Sequence, residues 1–139
     1  MPNDPYSHSV HVAAEPDQVF DYFTRPEAIV RWMGDYAVLD PQPGGEFTLD
    51  INGVPVRGEY LEVERPRRLV ISWGHAGSDL LPPGSSTVEI TLTAEHDGTT
   101  VRVLHHNLPD VEAQKHAVGW RYFLQRLVEA SSRRQPAGA

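Results

Sequence analysis

The stretch Thr99-Thr-Val-Arg-Val-Leu-His105, halted by Asn107-Leu-Pro109 and followed by one long helical pattern from about Asp110 to Ser131, decides how this chain is read. The first part alternates as a half-buried strand does. The second keeps apolar residues at three-and-four spacing, with Trp120 near its middle. A helix of ~20 residues is ~30 Å long, enough to cross a small sheet. Whatever precedes this helix must therefore supply a broad apolar partner.

Reading outward, that partner is built of strands. Thr87 to Thr93 alternates, and Asp97-Gly98 marks a tight hairpin before Thr99. Leu69 to Trp73 is a strand, and Gly74 to Ser85, rich in Gly and Pro without a period, is expected as an exposed loop. Val54 to Glu64 pairs back on Glu46 to Ile51 through Asn52-Gly53, because a type I′ turn needs positive φ at both positions. Pro41 to Gly45 is a turn after a strand at Tyr36 to Asp40. Upstream, Glu15-Pro16-Asp17 starts a helix that Thr24-Arg25-Pro26 breaks, and a second short helix runs through Ile29, Val30 and Trp32 until Gly34 closes it. Ser7 to Ala13 reads as the first strand. The fold class is α+β: a strand, two short helices, a six-stranded antiparallel meander and a long C-terminal helix packed across one face.

Size and charge set limits. The 139 residues suit one domain, taken as 7–131, with 1–6 and 132–139 expected as disordered ends. The net charge of -7 argues against a nucleic-acid partner, since gripping phosphates needs a basic face. Arg65-Pro-Arg67-Arg68, the one basic cluster, reads as a solvated turn. No run is long and apolar enough to span a membrane, and the start lacks a signal-peptide pattern, so a cytoplasmic location is expected. Without cysteine, disulfides, thiolate catalysis and zinc-thiolate sites are excluded.

Several strings stand out in order: Val12-Ala-Ala-Glu-Pro-Asp-Gln-Val-Phe20 with Trp32, Pro43-Gly-Gly-Glu-Phe47, Arg57-Gly-Glu-Tyr60, and Glu62-Val-Glu-Arg-Pro-Arg-Arg-Leu69 through Trp73. His105 with Leu108-Pro-Asp110, and Gly119-Trp120 through Leu124 and Leu127, complete the set. Together they resemble the START-like (SRPBCC) superfamily with its helix-grip fold. Within it, the chain looks like the branch named for the C-terminal domain of the heat-shock-protein-90 ATPase activator. The resemblance implies a curved sheet around the last helix with an apolar cavity between them. Members carry hydrophobic metabolites or lipids, act as cyclases or hydrolases, or assist the chaperone, and fold alone does not choose among these.

Candidate ligand-binding residues follow from which faces point inward. Phe47 and Leu49 share a strand face with Ile51, as do Val88 and Ile90, and Val103 and His105. His116, Trp120, Phe123 and Leu124 fall on one side of the helix, and Trp32, Tyr60 and Trp73 are aromatic residues expected to reach the same region. An ordinary packed core explains the same spacing. His105 stands out, because a buried neutral imidazole offers one donor and one acceptor to a ligand carbonyl or hydroxyl, and the resemblance places a histidine at this junction. It is also the leading acid–base candidate, with Tyr60 second.

Other chemistry finds less support. His105, His106 and His116 lie near Asp110 and Glu112, but His105 and His106 point to opposite sides of a strand, so no metal site is expected. No Gly-x-Ser-x-Gly elbow occurs, and Gly44-Gly45 lacks the following helix and Lys of a phosphate cradle, so no cofactor is expected either. Glu46, Asp50, Glu59, Glu62 and Glu89 alternate outward, with Glu59 expected to pair with Arg57 or Arg68. The sequence thus favours non-enzymatic binding of a hydrophobic or amphipathic small molecule, lipid-like or aromatic. An enzyme using His105 and a stress-related, chaperone-interacting protein are the alternatives. A homodimer stays open as a partner, since small domains often pair.

Overall fold

Asn52 and Gly53 have φ of 48° and 85°, the left-handed pair that a two-residue hairpin needs, and they close Ile51 onto Val54. In the computed structural model, which describes residues 5–133, this turn joins β3 (Glu46–Ile51) to β4 (Val54–Glu64). Around them lie β1 (Tyr6–Val12), α1 (Pro16–Thr24), α2 (Pro26–Ile29), β2 (Tyr36–Leu39), β5 (Arg68–Trp73), β6 (Ser86–Glu95), β7 (Gly98–His106) and α3 (Asp110–Arg133). The sheet has seven strands in the order β1-β7-β6-β5-β4-β3-β2, every pair antiparallel. This is the expected α+β architecture, with the first strand added beside the last.

Within β4 the register slips between Tyr60 and Glu62, leaving Leu61 as the extra residue of a bulge, a device that bends and twists a strand. Gly58 lies just before it, and a Cβ there would meet Ser72 O at 1.8 Å, so the backbones of β4 and β5 touch only because the residue is glycine.

The end of α1 shows how core side chains complete a helix. Its last carbonyls lack intrahelical partners. The Arg25 backbone N–H bonds Asp21 O at 3.0 Å, the Trp32 indole N–H bonds Tyr22 O at 2.9 Å, and the Tyr60 hydroxyl bonds Phe23 O at 2.9 Å. Two aromatic residues thus bury their rings and use their polar tips as a cap. At the other end, the Glu15 backbone N–H bonds Gln18 Oε1 at 3.3 Å, one arm of a capping box.

With 24 residues, α3 is ~36 Å long. It is fastened near both ends of its contact with the sheet layer. The Tyr6 hydroxyl donates to Ala117 O at 3.3 Å, and Arg126 Nε donates to Trp32 O at 3.0 Å. Trp120, Leu124 and Leu127 are buried beneath it, whereas Val118 and Tyr122 face water.

Four expectations are corrected. The 74–85 segment is not wholly exposed: Leu81 is buried in the core, His75 N–H bonds Leu81 O at 2.7 Å, and His75 bridges to Val56. An apolar side chain folded the loop back, and no periodicity announced it. The second hairpin turns on His96-Asp97, with Gly98 already paired to Glu95. Gly98 is required there because a Cβ would come within 2.1 Å of Val12 O. Arg57 pairs with Asp50 at 2.9 Å, and Arg68 pairs with Glu62 and Glu89, in place of the expected pairs with Glu59. Finally, Tyr6 belongs to β1 and the helix extends to Arg133, while the remaining end residues lie outside the described residues. The basic cluster has a structural role through Arg65, which holds Asp17 at 2.9 Å and Asp21 at 2.7 Å on α1. Such exposed pairs are worth about 0–1 kcal/mol each. Among the described residues, no helix is long and apolar enough to cross a membrane.

Candidate functional site

Most of the space under α3 is filled by the chain's own rings. Tyr60, Phe47, Trp73 and Trp120 form a continuous row, with centroid separations of 5.6, 5.8 and 5.5 Å. Edge-on and tilted contacts of this kind pack tightly and leave little room. At the far side of Trp73 and Trp120 the packing stops. There a cavity of about 360 Å³ opens between the β3–β4 hairpin and the first half of α3.

Its walls come from four places. The hairpin contributes Ile51, Val54 and Val56, and the segment after α2 contributes Met33. The end of β5 and its continuation contribute Trp73 and His75. From α3 come Glu112, Lys115, His116, Gly119, Trp120 and Phe123. Their spacing of three and four places them on one helical stripe. Gly119 matters in this stripe: a Cβ there would meet nothing within 4 Å, so the missing side chain is open volume.

Of the sequence-derived set, Trp73, His116, Trp120 and Phe123 line this cavity. Trp32, Phe47, Leu49, Tyr60, Val88, Ile90, Val103 and Leu124 are buried in the core and do not line it. Sequence reasoning placed inward faces correctly but could not tell a filled interior from an open one. Met33, Val54, Val56, His75 and Gly119 also line the cavity, and their spacing does not single them out. The apolar residues flanking Asn52-Gly53, and a glycine beside a tryptophan in mid-helix, were the available signals.

His105 lies behind the wall and is fully engaged. Trp120 Nε1, which can only donate, bonds His105 Nδ1 at 3.0 Å. Nδ1 is therefore the bare nitrogen, and Nε2–H donates to Ser86 Oγ at 2.9 Å. Ser86 Oγ in turn donates to Trp73 O at 2.8 Å. Burial holds the His105 imidazole well below its ordinary pKa, with the neighbouring histidines adding in the same direction. The result is a neutral relay that ties α3, β7, β6 and β5 together. Tyr60 is similarly occupied by Phe23 O, and burial, followed by the nearby Asp40 carboxylate, raises its pKa. Neither group has a nitrogen or hydroxyl turned free for proton exchange with a guest.

The polar end of the cavity belongs to His75 and His116. Their rings stack with centroids 5.5 Å apart and planes 17° from parallel, and His116 meets His105 edge-on at 5.0 Å. His116 Nδ1 lies 3.0 Å from Glu112 O, a carbonyl that can only accept, so Nδ1 carries the proton. Burial lowers the His116 pKa against the opposing pull of the Glu112 carbonyl and carboxylate. Burial, then the charge that His116 would carry, lowers that of His75. On the cavity wall the buried donor Trp73 Nε1 has no partner among the described residues, which costs about 1–3 kcal/mol. His106 faces away from the cavity, with Nε2 3.1 Å from Glu89 Oε1. Among the described residues no three His, Asp or Glu side chains converge as a metal ion requires.

Known proteins share this architecture. An AHSA1-like protein from Rhizobium etli, RHE_CH02687, is 39% identical over 94% of this chain and 86% of its own, with a TM-score of 0.72. CalU16 from Micromonospora echinospora is 31% identical over 91% of this chain and 74% of its own, with a TM-score of 0.74. DynU16, from the dynemicin biosynthetic locus, is 27% identical over 92% of this chain, with a TM-score of 0.80, and this chain spans 47% of its length. No curated protein matches. Residues 13–132 match the family model described as activator of Hsp90 ATPase homolog 1-like protein, and the chain belongs to that family, on the helix-grip fold of the START-like superfamily.

Proposed function

We propose that the protein binds an aromatic or amphipathic small molecule, without transforming it, in the cavity between the β3–β4 hairpin and α3. The observation that carries this reading is the cavity itself. About 360 Å³ stays open beside Trp73, Trp120, Phe123, Ile51 and Val56, whereas the adjacent interior is densely filled. Small-molecule sites have this character, mostly apolar with a few directed polar groups and roughly 300–1,000 Å³ in volume. The similarity to a protein of the dynemicin biosynthetic locus supports a small organic guest over a macromolecular one.

Gly119→Leu tests the reading. The added side chain enters the open volume that Gly119 now leaves and sits in a helix, where leucine is favoured, so folding is kept while the cavity closes. Calorimetric titration with naphthalene derivatives and medium-chain fatty alcohols should show binding to the parent protein and at least tenfold weaker binding to the variant. Unchanged affinities would remove the cavity as the binding site.

A further inference from the structure

We propose that the polar end of this cavity recognises a hydroxyl-bearing aromatic molecule, whose O–H donates a hydrogen bond to Nε2 of His116. The inference rests on the cavity reading above and specifies the guest.

Three observations converge. First, the bond from His116 Nδ1–H to Glu112 O leaves Nε2 as the ring's acceptor, and among the described residues nothing bonds that nitrogen. Second, His116 is a cavity-lining residue whose ring is clamped between His75, stacked at 5.5 Å, and His105, edge-on at 5.0 Å. Its orientation is therefore fixed before a guest arrives, which lowers the cost of binding. Third, the far wall is aromatic and aliphatic, so a guest that satisfies Nε2 lays its apolar body along Trp73, Trp120 and Phe123.

Charge selects the hydroxyl. The groups facing His116 are Glu112 and Lys115 from α3, His75 from the segment after β5 and His105 from β7. Glu112 Oε1 stands 3.6 Å from His116 Nδ1, and Glu112 is nearly buried, so a carboxylate guest would meet a like charge. Lys115 Nζ is 3.9 Å from Glu112 Oε2 and offsets that charge. The desolvation that keeps these imidazoles neutral also penalises a cationic amine. A neutral phenol-type donor meets neither penalty, whereas an ether or hydrocarbon of the same shape leaves Nε2 unpaired.

A matched pair of probes tests this: 2-naphthol and 2-methoxynaphthalene, titrated into 15N-labelled protein while the indole N–H signals of Trp73 and Trp120 are followed. 2-Naphthol should bind about tenfold more tightly, since a site built for a hydroxyl rejects the analogue lacking its proton. His116→Phe should erase that preference, bringing the ratio of the two affinities to about one. His116→Gln, which restores an acceptor oxygen, should recover part of the preference and guards against a folding defect in the first variant. Equal affinities for both probes in the parent protein, or a preference that survives His116→Phe, would overturn the hydroxyl assignment and leave the cavity standing. Failure of both probes to bind would sink the cavity reading and this one together.

Discussion

The indole N–H of Trp120 reaches Nδ1 of His105 at 3.0 Å, and that bond joins the long helix to the sheet through the one imaginable donor–acceptor order. An indole cannot accept, so the histidine must present a bare nitrogen to the helix and its proton to Ser86. A residue that sequence logic offers as an acid–base group thereby becomes a fastener. Trp120→Phe keeps a ring but withdraws the donor and should cost about 1–3 kcal/mol, because Nδ1 is left buried without a partner. His105→Ala also opens a void and should cost about 3–5 kcal/mol. Urea denaturation measures both, and losses no larger than those of a surface substitution would deny the relay its structural role.

Acid should weaken the fold in a specific window. Burial holds His75, His105 and His116 below the ordinary imidazole value of 6.5, so below that pH the unfolded chain binds protons that the folded chain refuses. Stability is thus fully present above about pH 7 and declines as the pH falls through 6.5, by at most about 1.4 kcal/mol per pH unit for each group. His75, partly open to water, contributes least. A second loss follows below about pH 4.5, where Glu89 takes up a proton in the unfolded chain while Arg68 and His106 keep its folded carboxylate charged. Urea midpoints that stay level between pH 7.5 and 5 would contradict the first part.

Tyr60→Phe should cost about 1–2 kcal/mol, since Phe23 O at the end of α1 loses its bond. Amide exchange in the last turn of α1 should quicken with it. Guest binding should be unchanged, because Tyr60 is outside the cavity lining. A variant that loses guest affinity at full stability would place Tyr60 in contact with the ligand.

Gly119→Ala should raise stability by up to about 1 kcal/mol, as alanine suits a helix interior and its methyl meets nothing within 4 Å. A thermal melt reads this directly, and a lowered midpoint would mean that the helix needs glycine for its backbone.

Much of this architecture was legible because each element carried its own local signal. The alternation of Phe47, Leu49 and Ile51 and the positive φ of Asn52 and Gly53 are properties of a few adjacent residues. So is the acidic, proline-marked start of α1. What stayed hidden depends on contacts made far along the chain. Gly98 is fixed by the approach of Val12, Leu81 by the core it enters, and His75 by its bridge to Val56. The site was partly legible for the same reason. Spacing turned Phe47 and Trp120 inward alike, but Phe47 is enclosed within the filled row, whereas Trp120 ends that row and lies on the cavity wall.

Trp73 and Trp120 stand on the cavity wall, while Trp32 is held against Tyr22 O outside its lining. With no further tryptophan in the chain, the molecule carries a built-in optical gauge. A guest that displaces solvent from two of these indoles will alter their emission, and the third supplies a steady background. Occupancy can then be followed on the unlabelled protein.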